Sequence, residues 1–170
     1  MVQRLGAGHY VFVLLSHDRR RIVHWNVTAH PTASWVWRQV IQATPWNAIP
    51  RFLIRDRDRS YGRDFVRRAA AIGIDTVLTP IQAPQANALT ERVIGTIRRE
   101  CLDHLIVIQE RHLRGVLGEY ISYYNTACPH RSLGLRPPSG PRELPPSSAR
   151  DRVVAEPVLG GLHHVYRWAA

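Results

Sequence analysis

Asp56 and Glu91 are the acidic residues whose sequence surroundings best suit chemistry. Asp56 lies just after the short apolar stretch 52–54, separated from it by Arg55. Glu91 lies near the start of a predicted helix, and 34 residues lie between Asp56 and Glu91. Carboxylates on rigid elements are ligands that Mg²⁺ prefers, and paired metal ions can stabilise both the attacking and leaving oxygens of phosphodiester transfer. The alternative is structural: Asp56 could end a strand, and Glu91 could be a favourable acid near a helix N-terminus.

The predicted helix that carries Glu91 has a distinct outward face. Gly95, Arg98 and Arg99 fall on roughly the same face as Glu91 by helical spacing. A carboxylate, a glycine gap and two arginines suit a metal site beside a phosphate backbone. An ordinary solvated basic face remains the alternative. The residues expected to face the core are Leu89, Val93 and Ile97.

The composition favours an anionic partner. Lysine and arginine total 23 against 13 acidic residues, for a net charge of +10. Arginine carries this excess, and its forked donors suit phosphate, so we expect a nucleic-acid partner. Two cysteines are too few for a disulfide scaffold and fit a reducing compartment. The longest apolar run, 10–15, cannot span a bilayer, and the N-terminus lacks a signal-peptide pattern, so the expected location is cytoplasmic.

The pattern of elements predicts an α/β fold with a mixed sheet and packed helices. On the strand 21–28, Ile22, His24, Asn26 and Thr28 are expected on one face. After residue 135 the chain becomes proline-rich, which divides it into a core (1–135) and an extended tail (136–170). The predicted strands are 10–15, 21–28, 52–54 and 74–79, and the predicted helices are 33–43 with Thr32 as N-cap, 63–72 ended by Gly73, 88–102 capped by Asn87, and 110–125.

Several motifs together resemble one family, the retroviral-type integrase catalytic core that is shared with bacterial DDE insertion-sequence transposases. The resemblance covers about residues 10 to 164. The matching segments are Phe52-Leu-Ile-Arg-Asp-Arg-Asp58, Thr79-Pro-Ile-Gln-Ala-Pro-Gln-Ala-Asn-Ala-Leu-Thr-Glu-Arg92, Gly95-Thr-Ile-Arg-Arg-Glu-Cys-Leu-Asp103, Tyr123-Tyr-Asn125, Pro129-His-Arg-Ser-Leu-Gly134 and Leu159-Gly-Gly-Leu-His-His164.

The resemblance implies an RNase H-like fold and a polynucleotidyl transferase that integrates or transposes DNA with Mg²⁺ or Mn²⁺. In this family an Asp, Asp, Glu triad binds the metals. Asp56 matches the second aspartate and Glu91 the glutamate, whereas Asp58 matches a non-catalytic position. The family implies a DNA partner and a homo-oligomer, with no membrane and no small-molecule substrate. The residues that we assign to DNA contact are Arg55, Arg57, Asn87, Arg92, Arg98 and Arg99.

One family feature is missing. The family's first aspartate lies on a strand before the one matched by 10–15, yet residues 1–9 contain no acid. Asp18 falls in a predicted turn and does not match. We therefore expect a chain truncated at its N-terminus, without the first strand and first catalytic acid, that does not integrate DNA efficiently. The alternatives are a non-catalytic nucleic-acid-binding remnant and a general basic α/β domain that binds RNA.

The cysteine–histidine pairs and the tryptophans have structural explanations. The pairs Cys101/His104 and Cys128/His130 could suggest zinc, but Cys-x-His is too close for the usual finger pattern. Buried thiols and surface histidines explain them better. We expect four tryptophans to pack the core rather than stack on bases: Trp25, Trp35, Trp37 and Trp46.

Overall fold

The computed structural model describes residues 1–5, 8–80, 88–140 and 152–169. The strands are β1 (Val2–Arg4), β2 (Tyr10–Leu15), β3 (Ile22–Thr28), β4 (Phe52–Arg55), β5 (Asp75–Leu78), β6 (Arg152–Val158) and β7 (His163–Ala169). The helices are α1 (Ala33–Ala43), α2 (Phe65–Ala71), α3 (Ala88–Glu100) and α4 (Glu110–Thr126). The predicted order of hairpin, helix, strand, helix, strand, helix, helix is confirmed for β2 to α4.

The strands form three hydrogen-bonded groups. Strands β1, β2 and β3 make an antiparallel sheet, β4 and β5 a parallel pair, and β6 and β7 an antiparallel hairpin. Val2, Phe12 and Leu53 lie in one buried cluster, so β4 packs close to the first sheet. The mixed α/β class with flanking helices is confirmed.

The prediction that the strand before β2 is missing is wrong. Val2–Arg4 pairs with β2, Met1 and Val13 exchange two backbone hydrogen bonds of 3.0 Å, and the Val2 side chain is buried. Three residues with a single apolar side chain are too few to show the alternation that predicts a strand. Pairing with the buried strand β2 stabilises β1 instead. No acidic residue lies on β1.

The predicted faces of β3 are wrong at its first residue. Leu14 pairs with His24 but Leu15 pairs with Ile22, so Val23 is an extra residue in a β-bulge. The bulge moves Ile22 into the same buried cluster as Val27. His24 and Asn26 remain on the opposite face, where both contact the side-chain oxygen of Gln39.

Two apolar clusters lie on the two sides of the first sheet. One joins it to α3 and α4, and the other joins it to α1, α2 and β4. Thr32 caps α1 as predicted, accepting a 3.3 Å hydrogen bond from the Trp35 amide. The helical spacing of apolar residues in 110–125 predicts one buried face, and the buried residues of α4 lie on it: Leu113, Val116, Leu117, Tyr120, Ile121 and Tyr124.

Three of the four tryptophans pack against the clusters, as predicted. Trp46 is the exception: it is 93% exposed in the segment that follows α1. That prediction fails because Trp46 lies between Pro45 and Pro50, outside any helix or strand that could carry it into a cluster.

The C-terminal segment contains structure that its proline content did not predict. Residues 152–169 form the β6–β7 hairpin, whose turn uses positive φ angles at Leu159, Gly160 and Gly161. The His163 Nε2 atom lies 2.7 Å from the backbone oxygen of Glu100, and Glu119 accepts a hydrogen bond from the Leu159 amide. The division of the chain at residue 135 remains a prediction. Each helix in the described ranges is too short or too polar to cross a membrane.

Candidate active site

A cleft of about 700 Å³ lies between the antiparallel sheet and β4. Its walls include Val13, Leu14 and Leu15 of β2 and the apolar residues of β4. Asp56 and Thr90 also line it. The cleft therefore brings together the end of β4 and the first turn of α3.

Asp56 is positioned by the end of the parallel strand pair. The Thr79 amide donates to the Arg55 carbonyl at 3.0 Å, which fixes β4 up to the residue before Asp56. The Asp56 Oδ1 atom is buried and has no hydrogen-bond partner among the described residues. A buried carboxylate oxygen without a donor is costly, whereas a bound cation would satisfy it.

Two neighbouring groups respond to the Asp56 charge. Tyr61 is buried, and burial first, and then the nearby Asp56 charge, raise the pKa of its phenol. Burial lowers the pKa of the Met1 amino group to about 6, while the nearby Asp56 and Asp58 carboxylates act in the opposite direction. The sequence pattern did not identify Tyr61 as part of the site, because Tyr61 and Asp56 come together only after the chain turns.

Asp58 has a different task from Asp56. Its Oδ1 accepts a 2.7 Å hydrogen bond from the Ser60 amide and caps the short 3-10 helix Arg59–Tyr61. That helix carries Tyr61 towards Asp56. Asp58 is thus explained by local structure, in line with its match to a non-catalytic position.

Glu91 lies in the first turn of α3, and its side chain is exposed. The residue before it, Thr90, lines the cleft that Asp56 also lines. Carboxylate oxygens are the ligand type that Mg²⁺ and Mn²⁺ take, so the two acids fit the expected cation by chemistry. Within the described ranges no three His, Cys, Asp or Glu side chains gather as a metal-binding group.

The two arginines beside Asp56 differ in their surroundings. The Arg55 guanidinium lies 4.9 Å from the Tyr61 ring and 5.4 Å from the Phe65 ring, and it donates to the Asp56 carbonyl at 3.1 Å. Arg55 is half-buried against these rings and also lines the cleft, and its assignment to DNA contact remains a prediction. Arg57 is exposed and donates to the Thr79 carbonyl at 3.3 Å.

The three arginines of α3 are all exposed. Arg98 donates to the Arg4 carbonyl at 2.6 Å, which ties α3 to β1. Arg99 lies over Gly95, where an added Cβ would be 3.0 Å from its Nη1 atom. Asn87, the remaining residue assigned to DNA contact, lies outside the described residues.

Part of the chain is similar to known proteins. Residues 72–138 match the family model described as an integrase core domain. The chain is 29% identical over 109 residues to the insertion element IS476 uncharacterized 39.2 kDa protein of Xanthomonas euvesicatoria. That match covers 64% of this chain and 32% of the relative, so the chain spans about a third of the relative's length.

A solved structure shares the fold. A chain in the cryoEM structure of the simian T-cell lymphotropic virus intasome, in complex with the PP2A regulatory subunit B56 gamma, matches with a TM-score of 0.63. The match covers all of this chain and 64% of that one at 12% sequence identity, so it concerns the fold alone. Residues 72–138 therefore match the integrase core domain family, and the chain has an RNase H-like fold.

Proposed function

We propose that this chain forms the DNA-acting core of an insertion-element transposase, in which Asp56 and Glu91 hold Mg²⁺ or Mn²⁺ for strand transfer. The observation that carries the proposal is the buried, unpartnered Oδ1 atom of Asp56 at the end of β4. The cleft that Asp56 shares with the first turn of α3 supports it.

The surrounding residues have complementary roles in this proposal. A bound divalent cation supplies Lewis-acid stabilisation of the attacking and leaving oxygens at a DNA phosphodiester. Tyr61 is buried close to the Asp56 carboxylate and shields that side of it from water. The exposed guanidinium groups of Arg57, Arg98 and Arg99 attract the phosphate backbone. A homo-oligomer assembled on DNA in the bacterial cytoplasm is part of the same proposal.

A second candidate is a core that binds DNA without strand transfer. The family resemblance implies three metal-binding carboxylates. We identify two in the described residues, which supports this candidate. DNA binding with no metal-dependent cleavage or joining would favour this candidate.

Metal-dependent nicking and strand transfer on a linear DNA duplex separates the two. We expect activity with Mn²⁺ that Asp56→Asn and Glu91→Gln each reduce about 100-fold or more, a loss of about 2.7 kcal/mol of transition-state stabilisation. Asp103→Asn is the matched control, because it removes an exposed carboxylate away from the cleft. Activity that survives both site variants would show that these acids are not catalytic.

A further inference from the structure

A second concave surface, of about 150 Å³, lies on a different flank of α3 from the Asp56 cleft. We call it the Arg92 groove. Arg92 and Thr96 of α3 form one wall, and the turn between β2 and β3 and the segment after α4 form the others. The residues that line it are Arg20, Leu89, Arg92, Val93, Thr96, Glu100, Tyr124, Cys128, Pro129, His130 and Arg131.

The groove has an excess of positive charge. Arg20, Arg92 and Arg131 line it together with one acid, Glu100, whose carboxylate accepts a 2.8 Å hydrogen bond from the Tyr120 hydroxyl. The ion pairs seen in the described part of the chain involve none of these three arginines. Three guanidinium groups around one small groove repel each other, so an anion would stabilise their arrangement.

His130 adds a polar atom that lacks a partner. Its ring packs edge-on against the Tyr124 ring at 4.6 Å. The Nε2 atom is buried and has no hydrogen-bond partner among the residues that the structure describes. A ligand oxygen beside Nε2 would favour the protonated ring, whereas burial lowers the pKa of the ring and disfavours that form.

The groove is held in place before any ligand arrives. The Arg19 guanidinium donates to the carbonyls of Pro137 and Pro138 at 3.2 and 2.7 Å, which ties the β2–β3 turn to the segment after α4. The Tyr124 hydroxyl donates to the Arg20 carbonyl at 3.4 Å, where Arg20 has a φ of 58°. Because these contacts already fix the turn, binding costs little ordering of the groove.

We propose that the Arg92 groove binds a phosphate of the DNA backbone, held by Arg20, Arg92 and Arg131. The three guanidinium groups suit a phosphate, whose oxygens match their forked donors. Arg92 follows Glu91 in α3, so the groove and the proposed metal site share that helix. The choice of DNA as the polymer rests on the proposed function.

Binding measured in EDTA tests the groove separately from strand transfer. The test variant is Arg20→Gln, Arg92→Gln and Arg131→Gln combined, with Arg131→Gln alone as a milder form. The control combines Arg38→Gln, Arg63→Gln and Arg68→Gln, which removes the same charge from exposed arginines elsewhere. Fluorescence anisotropy with a 20-base-pair duplex gives the affinity at several salt concentrations, and circular dichroism verifies folding.

We expect the triple groove variant to bind DNA about tenfold or more weakly than the control variant, with a salt slope smaller by about 1. Arg131→Gln should show part of the same loss. Equal affinity and slope in the groove and control variants would overturn the groove assignment and leave the strand-transfer proposal standing. A loss with an RNA duplex but not with DNA would overturn the choice of polymer.

Discussion

Asn125 holds the first residue of β3, Ile22, through both ends of its side-chain amide. Its Nδ2 donates to the Ile22 carbonyl at 2.9 Å, and its Oδ1 accepts from the Ile22 amide at 3.0 Å. The Asn125 carbonyl also accepts a 2.8 Å bond from the Ser139 amide. The end of the Tyr123-Tyr-Asn125 motif thus fixes the β2–β3 hairpin, with its bulge, against the C-terminal end of α4.

Replacing Asn125 with alanine should destabilise the fold. The substitution leaves both backbone groups of Ile22 without their partner in a partly buried position, which should lower the free energy of unfolding by about 1–3 kcal/mol. Urea denaturation measures this change. Thr126→Ala is the control, because the Thr126 hydroxyl bonds only within α4, to the Ser122 carbonyl. Equal effects of the two substitutions would show that Asn125 has no special role.

Arg114 connects α4 to β3 by a fork that lysine cannot reproduce. Its guanidinium donates to the Asn26 side chain and the Val27 carbonyl, and it contacts Glu110 Oε1 at 2.8 and 3.0 Å. Lysine has no planar fork, so Arg114→Lys should lower the free energy of unfolding by about 1.5–3 kcal/mol. The exposed Arg111→Lys on the same helix should change it little. A small effect at both positions would contradict the assigned role.

His130 should make stability depend on pH. Burial, as the main cause, lowers its pKa below 6.5 in the folded chain. As pH falls through 6.5, the unfolded chain binds a proton that the folded chain does not, so stability is lost below that pH. We expect the unfolding free energy of wild type, relative to that of His130→Gln, to fall between pH 7.5 and 5.5. A difference that stays constant or rises as the pH falls would contradict this assignment.

Cys101 should resist thiol reagents in the folded protein. Its side chain is buried, and burial raises the pKa of the thiol to about 12, so thiolate is scarce at pH 8. In a Cys128→Ser background, we expect dithionitrobenzoate to label Cys101 only as fast as the chain unfolds. Complete labelling in denaturant is the control. Rapid labelling without denaturant would mean that the α3–α4 cluster is open.

The elements that could be predicted from the sequence are those with a local signal. Thr32 marks the start of α1 by its hydroxyl, and the buried stripe of α4 follows helical spacing from Leu113 to Tyr124. Asp56 could be recognised as a candidate because it ends an apolar strand and matches a family motif.

The features that could not be predicted depend on partners distant in sequence. Strand β1 exists because it pairs with β2, and the bulge at Val23 appears only in the register between two strands. Tyr61 reaches Asp56 through a 3-10 turn, and His130 joins Arg20 and Arg92 in a groove that three separate segments form. The hydrophobic periodicity of one segment does not show which residues distant in sequence will contact it.

The position of a bound Mn²⁺ ion tests the central claim most directly. Anomalous diffraction from crystals grown with Mn²⁺ locates the ion independently of any activity. We predict one ion at roughly 2.1–2.3 Å from carboxylate oxygens of both Asp56 and Glu91, with the Asp56 Oδ1 atom as a ligand. An ion bound elsewhere, or bound at Asp56 with the Glu91 carboxylate turned away from it, would contradict the proposed metal site.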